Sequence, residues 1–329
     1  MSSPRLSILQ NDRLYVSVLA EEGGRVASLR SADTGLEFLL QPQHPRTLGG
    51  HGFDVNFSQG SCAGVEECLP SVGACGSLTD GGPVPDHGDF WQLPWHIEQP
   101  STAGALQMHA TGFSRPLQFR KQMELRGSSL HIEYDVVNLS DRSTSFLYAC
   151  HPLLAVDAGD RIVLPDEITA LQLYSSRDQR LGASGDTVAW PLPASTLDVD
   201  LSRVLPYSAG TGDMLYTNRL RDGWCGLYRS SMQQGIILRF DTTLLPYLGL
   251  WLCYGGWPDN GVTPLQYAVA FEPTVAPCGT LQEAQEQKTA IGLAPSASFR
   301  WSIDFQVTPE PLSFDEFHDR CAHQQLYPV

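Results

Sequence analysis

The chain of 329 residues is 42% hydrophobic, enough for a sizeable core, and only 17% charged. Its 21 Lys plus Arg against 36 Asp plus Glu give a net charge of −15, which repels phosphate backbones and anionic membranes and favours a neutral small molecule as partner. No run of 18 or more apolar residues occurs and Met1-Ser2-Ser3-Pro4-Arg5 opens no signal core, so no membrane span is expected and a cytoplasmic protein with its eight cysteines reduced is.

Strand patterns dominate. Leu14, Val16 and Val18 alternate with other residues, and Glu21-Glu22-Gly23-Gly24 turns the chain. Val26, Ser28 and Arg30 then share one face of the return strand, with Ala27 and Leu29 on the other, which reads as an antiparallel meander. Residues 44–95 are rich in Gly, Pro, Asp and Cys with little periodicity, and a loop run of that length in a compact domain is usually functional. Alternation returns at Leu130, Ile132, Tyr134 and Val136, in the strands around 146–151, 236–240, 248–254 and 265–272, and from Phe299 to Val307. Helical patterns are few: Thr280 with Glu283, and Ser313 with Glu316, have the spacing of capping boxes. With no alternating helices to cover a parallel sheet, the chain reads as all-β, mainly antiparallel, in one domain spanning 1–329.

The common catalytic motifs are mostly absent: there is no phosphate loop, no dinucleotide fingerprint, no H-E-x-x-H and no G-x-S-x-G. His87 lies in a turn, Pro85-Asp86-His87-Gly88-Asp89, whose carboxylates can orient its ring. His151 ends a strand among apolar neighbours and must either find a partner or stay neutral. His318, Cys321 and His323 read as a solvated helix, since His323 points away from the other two. Gln266, Ala268, Ala270 and Glu272 form one strand face, where two alanines leave room beside a glutamate. Trp91, Trp95, Trp251 and Trp257 lie near the candidate loops and offer flat apolar rings to sugar C–H faces.

Taken together, Gly23-Gly24-Arg25-Val26-Ala27-Ser28-Leu29 with Thr34-Gly35-Leu36-Glu37, Pro85-Asp86-His87-Gly88, His151-Pro152-Leu153-Leu154 with Gly159-Asp160-Arg161-Ile162, and Ala270-Phe271-Glu272-Pro273-Thr274 resemble the aldose 1-epimerases, or galactose mutarotases, in order and spacing. The resemblance runs through most of the chain. It implies the β-supersandwich of that superfamily, a neutral aldose as substrate, and anomer interconversion by general acid–base catalysis without metal or cofactor. It further implies Glu272 as base, His151 as acid, and His87 binding hydroxyls or the developing oxyanion. Asp213 in Gly212-Asp213-Met214-Leu215 matches the family's substrate-binding aspartate, and Glu67, with Trp251 and Trp257, is expected to complete the pocket. The family's usual arginine has no recognisable counterpart here. Two other readings stand beside this one. One is a carbohydrate-binding protein without turnover. The other is a lyase or hydrolase, for which Glu66 or Glu67 with Glu272 is the only carboxylate pair to nominate.

Overall fold

The computed structural model describes residues 6–44, 46–47, 50–99, 105–193, 199–258 and 264–323. Two large antiparallel sheets face each other. The ten-stranded sheet runs, in spatial order, through Leu6–Gln10, Leu14–Leu19, Arg25–Ser31, Gly64–Cys68, Ala149–Ala155, Tyr267–Thr274, Tyr247–Tyr254, Thr211–Tyr216, Ala170–Ser176 and Thr187–Ala189. The eight-stranded sheet runs through Arg161–Val163, Trp224–Arg229, Gln234–Phe240, Ser298–Val307, Ser129–Asn138, Leu117–Arg126, Ala105–Thr111 and His96–Gln99. The architecture is the sandwich of the galactose mutarotase-like fold.

Alternation explains why these segments pair as they do. Phe299, Trp301, Ile303, Phe305 and Val307 point inward along one strand and meet Ile132, Tyr134 and Val136 of its neighbour in the core. The N-terminal meander forms, but its strict alternation breaks. The register slips between Ser17 and Val18 opposite residues 26–28, and a bulge of this kind re-aims the chain. Val26 and Leu29, expected on opposite faces, are both fully buried.

Both capping boxes are made. Thr280 Oγ1 accepts from the Glu283 N–H at 3.1 Å while the Glu283 carboxylate accepts from the Thr280 N–H at 3.0 Å, starting the helix Leu281–Glu286. Ser313 and Glu316 do the same for Phe314–His323. The latter helix packs Phe317 and Cys321 against the eight-stranded sheet, where Gly226 and Gly235 leave room for them. Among the described residues no cluster of His, Cys, Asp and Glu is placed to hold a metal ion, and no helix is long and apolar enough to cross a membrane.

The ten-stranded sheet turns one face to the core and the other to the loops of the 44–95 region. The second face carries the candidate residues. Glu66 stands opposite His151, Glu272 opposite Gly249, and Gly249 opposite Tyr216. His151 and Glu272 lie on adjacent strands, between the registered pairs Ala149–Thr274 and Leu153–Ala270. One row across five strands therefore carries the chemistry-bearing side chains.

Candidate active site

His151, Glu272 and Tyr216 of this row line a cavity of about 200 Å³, with His87, Trp251, Trp257 and Phe57 among the other lining residues. Beside the cavity the packing is close around Gly249. A Cβ on Gly249 would stand 2.8 Å from the Met214 methyl, 3.1 Å from the Tyr216 ring and 3.2 Å from the Glu272 Cβ. Ala268 and Ala270, with Leu153 and Leu40, form a small apolar patch that continues the floor beneath Trp251. Gln266, expected on the same strand face as Glu272, lines the cavity and accepts a hydrogen bond from Trp251 Nε1 at 2.6 Å, fixing that indole in place.

Glu272 and His151 face each other, Oε1 to Nε2, at 3.8 Å, too far apart for a direct hydrogen bond. Both are buried. Glu272 Oε2 and His151 Nδ1 find no hydrogen-bond partner among the described residues. Burial disfavours the charged form of each group. The Glu272 carboxyl is accordingly pushed up to about 8, with burial as the cause. His151 is pushed down to about 3 by burial and, next, by the neighbouring His87. Burial thus favours the protonated carboxyl and the neutral imidazole.

His87 comes from the loop rather than the sheet. Its backbone is left-handed at φ +58°, uncommon for a residue with a side chain, and Gly88 follows at φ +73°. A Cβ on Gly88 would sit 2.0 Å from the Leu69 carbonyl oxygen, so only glycine lets the turn come this close to that strand's end. The His87 ring stacks on Phe57 at 3.8 Å and 7°, and meets His151 edge-on at 5.5 Å. Its Nδ1 pairs with Asp86 Oδ1 at 2.8 Å. Burial opposes the Asp86 charge, but the His87 hydrogen bond and the Phe57 N–H outweigh it and hold that carboxyl below its ordinary value.

Two expected residues lie elsewhere. Glu67 points to the opposite face of its strand, into the core between the sheets. There it is fully buried and bonded to Lys121 Nζ at 3.1 Å, Tyr134 at 3.2 Å and Tyr148 at 2.9 Å. Its neighbour Glu66 faces the row instead, with Ser61 donating to it at 3.1 Å, but it does not line the cavity. A one-residue slip in a strand exchanges the two faces, and Glu66-Glu67 offers a carboxylate to each. No second carboxylate stands with Glu272 among the cavity's described lining residues. Asp213 also misses the cavity. Met214 and Tyr216 of its strand line it, while the Asp213 carboxylate is held by the Arg180 guanidinium and accepts from Ser176 Oγ at 2.6 Å. Trp91 is fully buried behind the site and donates to the Asp86 carbonyl at 2.9 Å.

Several lining residues escape a reading of the sequence. Phe57, Val72 and Tyr174 carry no local signal, whereas Met214 and Tyr216 share a face by simple alternation and become legible once the parity of that strand is known. Among the described lining residues there is no Lys or Arg.

Comparison with known proteins agrees with this architecture. A search of curated proteins finds no match. Among solved structures, the Slr1438 protein of Synechocystis sp. PCC 6803 is 19% identical with a TM-score of 0.64, the match covering 94% of this chain and 97% of that one. A galactose mutarotase related enzyme from Lactobacillus acidophilus is 17% identical with a TM-score of 0.65, covering 92% and 97%. A galactose mutarotase-like protein from Clostridium acetobutylicum is 15% identical with a TM-score of 0.64, covering 92% and 94%. These likenesses speak to the fold. Residues 5–177, more than half of the sequence, match the family described as aldose 1-epimerase, and the chain belongs to that family.

Proposed function

We propose that the cavity interconverts the anomers of a neutral free aldose. The observation that carries this reading is the approach of Glu272 to His151 at 3.8 Å: two buried titratable groups with unpartnered atoms in a cavity lined by Trp251 and Trp257. Mutarotation needs a proton removed from the anomeric hydroxyl and a proton delivered to the ring oxygen. A carboxyl and an imidazole supply that inventory without outside help. In the roles that the resemblance implies, Glu272 takes the anomeric proton and His151 gives one to the ring oxygen. After the C1 carbonyl rotates, closure returns both protons.

An uncharged sugar fits the lining. With no Lys or Arg among the described lining residues, a phosphate or carboxylate substituent would enter without a counter-charge, and burying an unpaired charge is costly. The test is polarimetry on a panel of freshly dissolved aldoses with and without protein, repeated on sugar phosphates and uronic acids. Accelerated mutarotation of at least one neutral aldose, with weaker or no effect on the charged sugars, is expected. Tryptophan quenching by sugars with no acceleration for any of them would identify a binding protein instead.

A further inference from the structure

The cavity has a polar end and an apolar end, and the order of the strands separates them. Starting from the strand of His151, the ten-stranded sheet passes to those of Glu272, of Trp251, of Met214 and Tyr216, and finally of Tyr174 and Ser175. His87 stands at the first end, its ring 5.5 Å from that of His151. Val72 joins the far end from the loop region. Its neighbour Gly73 donates to the Gly279 carbonyl, and Gly279 abuts Tyr174 so closely that a Cβ there would stand 2.2 Å from the phenolic oxygen.

The polar tips at the far end are committed within the protein. Tyr216 donates its hydroxyl to the Cys278 carbonyl at 3.1 Å. Tyr174 donates to the Glu283 carboxylate at 3.3 Å, the same carboxylate that caps the helix Leu281–Glu286. Met214 brings a methyl and a thioether, which is a weak acceptor, and Val72 brings nothing polar. Ser175, registered opposite Met214, is the one side chain at this end whose hydroxyl has no partner among the described residues. Elsewhere in the cavity, Trp251 Nε1 is committed to Gln266. No Asp, Asn, Thr, Lys or Arg is found among the described lining residues.

A pyranose engaged by Glu272 and His151 at its anomeric carbon and ring oxygen still carries several hydroxyls. One that leaves water for the wall of Met214, Tyr216 and Val72 finds no donor or strong acceptor there that is not already in use, and an unpartnered buried hydroxyl is costly. A CH₂ or CH₃ group in its place loses nothing and buries apolar area. We infer that the site selects a deoxyaldose, a neutral sugar with hydrogen in place of one hydroxyl, and packs the deoxygenated carbon against Met214, Tyr216 and Val72. This rests on the mutarotase reading above and narrows its substrate.

The test uses free sugars in pairs that differ at one carbon: D-galactose with D-fucose, D-glucose with 6-deoxy-D-glucose, and D-glucose with 2-deoxy-D-glucose. Polarimetry gives each enzymatic rate over the rate in buffer, and no variant has to fold. At least one deoxy sugar should exceed its parent in kcat/KM by about 10–10²-fold, the range in which an apolar pocket discriminates against an added hydroxyl. The second measurement is the same pair with Val72→Thr, which keeps the shape of the side chain and offers a hydroxyl to the far end. The preference should shrink by at least about threefold, because the parent's hydroxyl gains a partner. Parents turned over as well as every deoxy partner would overturn the proposal and leave the mutarotase reading standing. A deoxy preference untouched by Val72→Thr would overturn the packing of the deoxygenated carbon against this wall. Acceleration of no sugar in the panel, parent or deoxy, would remove the mutarotase reading and the proposal with it.

Discussion

A carboxyl and an imidazole buried side by side are shifted in opposite directions, and the pair at the floor of this cavity leaves a trace in stability. Glu272 keeps its proton up to about 8 in the folded chain, against an ordinary value of 4.5. Between those values the folded state binds the additional proton, so stability falls as pH rises, and the loss is complete above the folded value. His151 runs the other way, from 6.5 down to about 3, so its share of stability rises as pH climbs through that window. The two slopes offset each other where they overlap and leave a net fall on the alkaline side of about 2 kcal/mol, a tenfold change in proton affinity being worth roughly 1.4 kcal/mol. Glu272→Gln removes the carboxyl's share. Urea unfolding at about pH 5 and about pH 9 should show the variant gaining on the wild type by about 4 kcal/mol as pH rises, roughly three pH units of the carboxyl's share. An equal difference at both pH values would mean that Glu272 is not held protonated by burial.

At the scale of strands and loops, the site depends on which face each strand presents and on what is missing from it. Gly249 is the clearest case, because any side chain there collides with Met214, Tyr216 and Glu272 at once. Gly249→Val should weaken sugar binding by at least about tenfold, or about 1.4 kcal/mol, with a stability cost in the overpacking range of about 1–3 kcal/mol. Unchanged sugar affinity in a folded Gly249→Val protein would place the ligand elsewhere. The same dependence on faces sets how far the sequence can be read. The strand carrying Glu272 is legible because its two alanines and one glutamate break an otherwise bulky alternation. The Glu66-Glu67 pair is not, since adjacent glutamates satisfy either register and only the core partners Lys121, Tyr134 and Tyr148 decide between them. Asp213 misleads for the same reason: its strand sends Met214 and Tyr216 to the cavity and its carboxylate to Arg180. Phe57 and Val72 come from the 44–95 region, where no period exists to be read, although that region's length marks it as functional.

Across the whole molecule, the two sheets are joined by an ionic link directly behind the face that bears the cavity. Glu67 reaches from the ten-stranded sheet to Lys121 on the eight-stranded sheet, both fully buried, and Lys121 also donates to the Gly24 carbonyl at 2.7 Å and lies 4.7 Å from the Trp95 ring centroid. Removing one partner of such a pair leaves a lone buried charge, at a cost of about 3–5 kcal/mol. Glu67→Gln should therefore lower stability by about that amount in urea unfolding, while the folded protein binds sugar as the wild type does. Reduced affinity at unchanged stability would return Glu67 to the binding site.

The function itself is tested most directly at Glu272. Gln keeps the shape of that side chain and an acceptor oxygen but can neither give nor take a proton at neutral pH. Polarimetry on the best aldose from the panel should show the Glu272→Gln rate reduced by about 10²–10⁴-fold, with sugar binding by tryptophan quenching nearly unchanged. Equal mutarotation by wild type and Glu272→Gln would contradict the assignment of Glu272 to the proton transfers.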